Sequence, residues 1–373
     1  MMQIIPVTTK QLLKQFILLP FTLYKNDPNW VAPMISDQMK FFDPEKNPYF
    51  EHSEVQLFLA LKDGKVVGRI SAHTNTQHNK FHEDKVGFFG FFECINDQEV
   101  ANALLDTAKD WNRKHGMDTL RGPMNLSTND ECGLLIEGYD TPPYVMMTHN
   151  PPYYLELLEK AGFAKVMDLN AWYTDTPDVP ERLIKLGKMI EKKQNFTIRT
   201  LNKKDLKRDI KTVFTIYQKA WERNWGFVPM TKKEFDHTVA TLLPIVDTDL
   251  VFIAEVDGQP AGFSVALPDY NVILQKFRGK ITPAGIFWLL YYTKFFPKKM
   301  ERVRVITMGV VKEYQSRGID IMFYYHSFLN GHKKGLYKAE YSWVLETNTM
   351  MNRIAVDLMA RVHKKYRILG CPI

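Results

Sequence analysis

Residues 303–332 read VRVITMGVVKEYQSRGIDIMFYYHSFLNGH, and this stretch decides the fold because it predicts a buried strand, a polar turn and a helix in succession. Residues 303–311 are rich in β-branched and apolar side chains, as buried strands are. From Gly318 onward, apolar residues recur at helical spacing. A helix start presents backbone N–H groups without partners and the positive end of the dipole, so this corner favours an anion such as a phosphate. On this stretch alone, an ordinary corner without a ligand stays open as the alternative.

The turn resembles the pyrophosphate loop of the GNAT superfamily of N-acetyltransferases, whose pattern is Gln/Arg-x-x-Gly-x-Gly/Ala. Gln315 and Gly318 match that pattern. Asp320 departs from it, and an acidic side chain there suits an outward position in the first helical turn. The resemblance implies acetyl-CoA or a longer acyl-CoA as co-substrate. The residues that it implies for binding this co-substrate are Met308, Val310, Val311, Gln315, Ser316, Arg317, Gly318, Ile319, Asp320 and Asn348.

The next elements continue the resemblance and supply candidate catalytic residues. Residues 338–345 predict a strand, and Asn348 matches the Asn that leads the following helix in the superfamily. Glu340 and Glu346 are the candidate general bases, with Asn348 beside them. If the apolar face of the strand packs inward, Glu340 is instead a solvated edge residue, and Glu346 can instead belong to the helix cap. No Tyr stands where the superfamily often has its general acid.

Composition limits the classes of function. The chain has 373 residues, 45% of them hydrophobic and 24% charged, which suits a globular protein of two domains. The net charge of +7 suits an anionic membrane or a polyphosphate such as CoA. The basic residues are dispersed among acidic ones, so nucleic acid is not expected. The three cysteines are far apart and show neither metal nor disulfide spacing. No metal is expected, and with no signal peptide a cytoplasmic location is expected.

The order of elements repeats, which predicts an α/β (α+β) fold of two GNAT-like domains, each a mixed, mostly antiparallel twisted sheet flanked by helices. Residues 154–163 resemble the superfamily's Leu-Tyr-Glu-Lys-Leu-Gly-Phe signature at the last helix. The predicted parts are an N-terminal domain (1–175) without a phosphate loop, a connector (176–195) and a C-terminal domain (196–373) with the CoA loop. Strands near 163–172 and 362–369 are each expected to close their own copy.

Two further segments bear on the acceptor. Residues 123–150 form a long polar loop, and Asn129, Glu131 and His149 are candidates to line an acceptor pocket; an ordinary surface loop is the alternative. Residues 281–296 are apolar and aromatic with flanking lysines. They predict a helix packed on the core or on the other domain, or else a lid for an acyl chain or an interfacial helix touching anionic lipid.

These observations predict an acyl-CoA-dependent N-acyltransferase that acts on an amine of unknown identity, with a lipid amine among the candidates. Peripheral contact with the inner face of the membrane through residues 281–297 is part of this expectation. Two alternatives stay open: a catalytically degenerate GNAT-like ligand-binding protein, and an aminoacyl-tRNA-dependent transferase. The sequence leaves the oligomeric state open.

Overall fold

The computed structural model describes residues 1–193, 195–222 and 224–373. Residue 194 of the predicted connector lies outside the described residues. The strands are β1 (Met2–Pro6), β2 (Val55–Lys62), β3 (Lys65–Thr74), β4 (Val86–Cys94), β5 (Thr119–Gly122), β6 (Leu134–Glu137), β7 (Ala164–Asp175), β8 (Phe196–Thr200), β9 (Val251–Val256), β10 (Gln259–Pro268), β11 (Arg302–Val310), β12 (Lys338–Leu345) and β13 (Arg361–Pro372). The α-helices are α1 (Lys10–Leu23), α2 (Ile35–Phe41), α3 (Thr76–His82), α4 (Gln98–Lys114), α5 (Tyr153–Lys160), α6 (Glu181–Glu191), α7 (Leu206–Ala220), α8 (Lys232–Leu242), α9 (Asn271–Phe277), α10 (Pro283–Leu290), α11 (Ile319–Lys333) and α12 (Thr349–Asp357).

The described residues divide into two compact units. Unit 1 comprises Met1–Leu169, Leu274–Thr282 and Lys364–Ile373, and unit 2 comprises Asn170–Ile273 and Pro283–His363. The sheet of unit 1 runs β1-β2-β3-β4-β5-β13, and that of unit 2 runs β7-β12-β11-β10-β9-β8. In each sheet the fourth and fifth strands of the copy, β4 with β5 and β11 with β12, pair in parallel. The other described pairings are antiparallel, for example β2 with β3 and β9 with β10. The predicted fold class is confirmed.

The last strand of each unit comes from the other half of the sequence. Beside β5 lies β13, which pairs with it antiparallel from Leu369↔Gly122 to Pro372↔Thr119. Beside β12 lies β7. The expectation that the strands near 163–172 and 362–369 close their own copies was therefore wrong, because sequence order does not reveal which edge a strand joins. Where independently folding domains begin and end stays a prediction.

Each unit builds its core from the apolar face of its sheet and one long helix. In unit 1, α4 begins at the cap residue Asp97 and buries Val100, Leu104 and Ala108, the face that its spacing predicts. In unit 2, α11 buries Phe323 and other apolar side chains on the sheet. A Cβ at Gly187 of α6 would lie 2.6 Å from the ring of Tyr325, so α6 packs closely on α11 and positions its first turns.

Candidate active site

A wedge opens between β11 and β12 in the sheet of unit 2. The two strands pair in parallel from Arg302↔Lys338 to Val305↔Tyr341 and then separate. Beyond this point β11 stays paired with β10 as far as Gly262↔Val310, and Ile306 is an extra residue that bulges β11 where the wedge begins. Beyond this point the main-chain N–H and C=O groups of the two strands are therefore not hydrogen-bonded to each other. Such an edge suits a ligand that pairs with a strand.

The predicted phosphate loop closes one end of the wedge. Ser316 has φ +62° and Gly318 φ +84°, and Gly318 is the N-cap of α11. Glycine takes this left-handed conformation without strain. The amide nitrogen of Gln315 donates to the Val310 carbonyl at 3.2 Å, so this side chain holds the loop to the strand end. Asp320 lies in the first turn of α11. The loop thus has the backbone geometry of an anion site at a helix start.

Arg317 is an exposed cation of this loop, beside the start of α11. Its guanidinium lies 5.4 Å from the centre of the Tyr314 ring, within cation–π range. Together with Lys193, it borders an open groove lined also by residues of α6 and the start of β8. A positive charge beside a helix N-terminus adds to the attraction for a polyphosphate.

On the β12 side, a buried carboxylate is held by three side chains. Glu340 is fully buried. Its carboxylate accepts a hydrogen bond from the Ser342 hydroxyl at 2.6 Å and faces the imidazole Nε2 of His363 at 2.6 Å. Arg304 lies 3.9 Å away and also donates to the Ser342 hydroxyl at 2.8 Å. The expectation that Glu340 is a solvated edge residue was wrong, because its partners replace the water it loses.

The charge on Glu340 is maintained despite its burial. Burial is the largest influence on its pKa and would raise it, but the His363 hydrogen bond, the charges of His363 and Arg304 and the Ser342 hydrogen bond together lower it below its usual value. Glu340 is therefore an anion at neutral pH. An ionised carboxylate at Nε2 orients the ring, places its basic lone pair on Nδ1 and stabilises the imidazolium.

Aromatic and basic residues surround His363. The Tyr173 ring, on β7, lies 5.0 Å from the imidazole, and the Arg361 guanidinium lies 5.3 Å from the Tyr173 ring centre. Burial, followed by the charge and hydrogen bond of Asp175, raises the pKa of Tyr173 to about 12. Tyr173 is thus a neutral wall of the site at neutral pH. The side chain of His363 itself is 14% exposed, whereas that of Glu340 is 0% exposed, so the imidazole is the more accessible member of the pair.

The other predicted residues of this half lie at the end of β12. Asn348 caps α12, since its side-chain oxygen accepts from the Met351 N–H at 3.1 Å. Asn352 braces the strand end: its amide nitrogen donates to the carbonyls of Leu345 and Asn348, both at 2.9 Å. Glu346 is half-buried just beyond the strand. Catalytic roles for Glu346 and Asn348 stay predictions. The side chain that caps the start of α12 is that of Asn348.

In unit 1 the corresponding wedge is filled by the chain itself. After Phe88↔Arg121 the strands β4 and β5 part, and Met124 donates its N–H to the Phe89 carbonyl at 2.8 Å. The Asn125 side chain accepts from the Phe91 N–H at 2.8 Å. A Cβ at Gly90 would clash with the Met124 carbonyl oxygen, so only glycine permits this insertion. This occupied strand edge supports the expectation that the N-terminal half lacks a CoA site.

The predicted acceptor residues lie in or after the loop that makes this insertion. The Asn129 N–H donates to the Ser127 hydroxyl at 3.0 Å, and the Glu131 carbonyl accepts from Asn125 at 2.9 Å, so the backbone of both residues shapes the loop. His149 pairs through Nε2 with Asp27 at 2.7 Å, and its side chain is 4% exposed. Burial lowers the pKa of His149 below its ordinary value, against the opposing influence of Asp27. The acceptor role of all three residues stays a prediction.

Sequence reasoning missed most of the side chains around Glu340. His363, Ser342, Arg304 and Tyr173 come from four different strands, and each lies in a segment with ordinary strand alternation. The signal that the sequence offered was the presence of polar residues within apolar strands. Glu340 and Ser342 occupy alternate positions of one strand, and Arg304 lies in the apolar stretch 303–311. Such a pattern marks a polar face, but it does not tell which faces meet.

Two classes of site find no support in the described part of the chain. No helix there combines the length and the apolar character needed to cross a bilayer. Across residues 1–193, 195–222 and 224–373, His, Cys, Asp and Glu side chains form no cluster that could hold a metal ion.

Comparison with known proteins shows which proteins this chain is similar to. No family model matches it. The bacterial ceramide synthase of Caulobacter vibrioides is 37% identical over 376 residues, which cover 98% of this chain and 96% of that protein. Protein YghO of Escherichia coli is 36% identical over 362 residues, covering 95% and 92%. A tandem GNAT protein from the clavulanic acid biosynthesis pathway has a TM-score of 0.58 at 11% identity, and the match covers 100% of this chain and 98% of that protein. A GCN5-related N-acetyltransferase from Sphaerobacter thermophilus has a TM-score of 0.53 at 13% identity, covering 100% and 95%.

The solved structures show the same fold, and the two relatives align with nearly the whole chain. The predicted GNAT-like fold and its tandem arrangement are confirmed. The chain is an N-acyltransferase with a tandem GNAT fold and belongs to the family of the bacterial ceramide synthase of Caulobacter vibrioides.

Proposed function

We propose that this enzyme transfers an acyl group from acyl-CoA to the primary amine of a long-chain lipid, with His363 as general base and Glu340 as the residue that positions it. The observation that carries the proposal is the 2.6 Å contact between a fully buried, ionised Glu340 and the more accessible imidazole of His363. A carboxylate–imidazole pair of this kind is a recurrent solution for removing a proton from a nucleophile.

The chemistry requires one proton acceptor and one open strand edge. The amine nitrogen attacks the thioester carbonyl carbon, and its surplus proton passes to Nδ1 of His363. The carbon–sulfur bond then breaks, the electron pair stays on sulfur, and the thiolate takes up a proton to leave as CoA. The products are one amide and one free CoA thiol. The negative charge of Glu340 stabilises the imidazolium that forms on the way.

The wedge and its loop are the proposed site for acyl-CoA. Main-chain groups of Met308 and Val310 lie along β11, where the extended pantetheine arm would pair with the strand edge. The predicted contact at Val311 is not part of this proposal, because its N–H already donates to the Ala261 carbonyl at 2.8 Å and its carbonyl accepts from the Tyr314 N–H at 2.9 Å. The backbone N–H groups that follow Gly318 would meet the pyrophosphate, with Arg317 adding positive charge. Gln315 would act by holding the loop in place, since its side chain already donates to the Val310 carbonyl.

The lipid nature of the acceptor rests on the relative and on the surface of unit 2. A ceramide, the product in the name of the Caulobacter vibrioides relative, is the amide of a long-chain amino alcohol. An enzyme that takes such an amine must reach a bilayer, and the exposed apolar residues within 281–297 suit peripheral contact. Asn129, Glu131 and His149 remain proposed acceptor contacts of unit 1.

Ligand binding and turnover test the proposal separately. Thermal unfolding should shift upward with acyl-CoA, and a series from acetyl-CoA to long-chain acyl-CoA should identify the preferred acyl length by the largest shift at equal concentration. No shift with any member would contradict the co-substrate. Turnover is then measured over an amine panel that includes short polyamines, amino sugars and long-chain amino alcohols. Binding of acyl-CoA without amide formation from any amine would instead favour a catalytically degenerate binding protein.

A further inference from the structure

Residues 283–299 of unit 2 form an apolar helical surface that faces solvent. They comprise α10, a π-helical turn (Tyr291–Phe295) and a short 3-10 turn (Pro297–Lys299). Within this segment, all of which the structure describes, only Gly285 is buried. The exposed large apolar residues are Ile286, Phe287, Leu289, Leu290, Phe295 and Phe296. Phe287, Phe295 and Phe296 are more than half exposed, at 58%, 67% and 52%. The expectation that this helix packs on the core was wrong.

Such a helix requires an apolar partner. A helix that is apolar on all sides normally lies in a protein core or in lipid, and an exposed apolar patch of this size marks an interaction surface. α10 with the turns after it is too short to cross a bilayer. It is long enough to lie in the plane of the headgroup region with its side chains among the first acyl carbons.

The charges beside this surface select an anionic partner. Lys294, Lys298 and Lys299 are exposed on the segment itself. The sequence from 270 to 300 contains three more basic residues, at 276, 278 and 280, and no acidic residue. Lysines beside apolar side chains match the anionic headgroups and acyl chains of a bilayer. The same charges disfavour a second copy of this chain, since two such segments would bring like charges together.

The aromatic residues of the segment fit the same environment. Trp288 stacks on Tyr292 at 5.9 Å between ring centres and meets Tyr291 edge-on at 5.3 Å. Trp and Tyr concentrate at the membrane–water boundary because their rings are apolar at one end and polar at the other. Apolar tips, an aromatic cluster and a lysine border therefore occur together on one short segment.

We propose that residues 283–299 anchor the protein to the surface of an anionic lipid bilayer. The anchor belongs to unit 2, which carries the wedge, and it works without acyl-CoA or amine. Its test is therefore independent of the proposed reaction: the anchor can hold where acyl transfer fails, and acyl transfer from detergent-dispersed lipid can hold where the anchor fails.

The test measures binding of the unliganded protein to vesicles by flotation. The vesicles are either phosphatidylcholine alone or phosphatidylcholine with 30% phosphatidylglycerol, a composition that we choose as roughly that of an anionic leaflet. The protein should bind the anionic vesicles and lose most of this binding at high salt. Replacing Lys294, Lys298 and Lys299 by Gln should weaken it by about fivefold per lysine. The matched control with the same change of net charge is Lys25→Gln, Lys65→Gln and Lys192→Gln, at exposed positions elsewhere, and it should bind nearly as well as the unmodified protein.

The apolar part is tested by Phe287→Asn with Leu290→Asn and Phe295→Asn, which should weaken binding about tenfold or more on both vesicle types. Because the three native cysteines are buried, Phe287→Cys also offers an accessible thiol for an environment-sensitive dye, whose emission should shift to the blue on anionic vesicles. Equal binding of the lysine variant and its control would overturn the proposal. So would an unchanged dye spectrum, or a lipid-free dimer that the triple Asn variant abolishes, since that result would assign the surface to a second copy.

Discussion

His363→Gln is the perturbation that separates catalysis from structure most cleanly in this enzyme. Glutamine keeps an N–H donor that can still reach the Glu340 carboxylate, now 2.6 Å from the imidazole. It has no group that accepts a proton at neutral pH. The buried carboxylate therefore keeps a partner while the proposed base is removed. The expected result is a loss of kcat with little change in the free energy of unfolding.

The size of this loss follows from the role. Removing a general base from a positioned nucleophile costs about 10²–10⁴ in rate, which is about 2.7–5.4 kcal/mol in the activation free energy. Glu340→Gln differs because it also breaks the network around a fully buried carboxylate. Arg304, whose side chain is 3% exposed, would lose its carboxylate. Loss of one member of such a buried pair costs about 3–5 kcal/mol in the free energy of unfolding. The two substitutions should thus lower kcat alike and differ in stability.

The assay is amide formation at saturating acyl-CoA, followed from pH 6 to 9. In the His363→Gln enzyme the residual rate should rise with pH by up to about tenfold per unit, because solvent rather than the protein now deprotonates the amine. His115→Gln is the matched control, since His115 also meets a glutamate, Glu54, at 3.3 Å, but on the surface of unit 1. A His363→Gln enzyme with more than half of the original kcat would refute the base assignment, whatever its stability.

Three further predictions test other parts of the structure. Arg317→Ala should raise the Kd for acyl-CoA about tenfold, measured by thermal shift, while Arg208→Ala, also an exposed arginine, should leave it unchanged; equal effects would mean that only net charge matters. Burial lowers the pKa of His73 from 6.5 to about 3. Below pH 6.5 this residue binds a proton only in the unfolded state, so the free energy of unfolding should fall by about 1.4 kcal/mol for each pH unit of acidification. His73→Gln should flatten that slope, and an unchanged slope would contradict the assignment. Gly90→Ala should lower the free energy of unfolding by about 3 kcal/mol, because its Cβ meets the Met124 carbonyl, and a neutral result in denaturant titration would show that the inserted segment can move.

Side-chain patterns within short stretches of sequence were enough to predict the secondary structure of those stretches. The strand, turn and helix of residues 303–333 were predictable because each depends on side-chain spacing and on one glycine, Gly318, within a short window. The exchange of β7 and β13 was not predictable, because no spacing within a strand specifies the edge that it joins. His363 was missed for that reason: its role exists only because its side chain, at the start of β13, meets the carboxylate of Glu340 on β12.

Burial was harder to predict than secondary structure. Glu340 looked like a solvated residue, since a carboxylate on an apolar strand usually faces water. Its compensation by Ser342, His363 and Arg304 arises from three other positions in the chain. Residues 281–296 were misjudged in the opposite sense: their composition favoured a packed helix, whereas the structure shows most of their large apolar side chains exposed. In both cases the deciding information was which surfaces meet.

Product analysis with a long-chain amino alcohol and acyl-CoA shows whether the enzyme forms an amide by acyl transfer and whether His363 is its general base. The amide and the free CoA thiol are quantified together, by mass spectrometry and by thiol titration, at the acyl length that gives the largest thermal shift. We expect the two to appear in equal amounts with the unmodified enzyme, and His363→Gln to slow both by the same factor of about 10²–10⁴. Release of CoA thiol without amide, or amide formation that His363→Gln leaves unchanged, would contradict it.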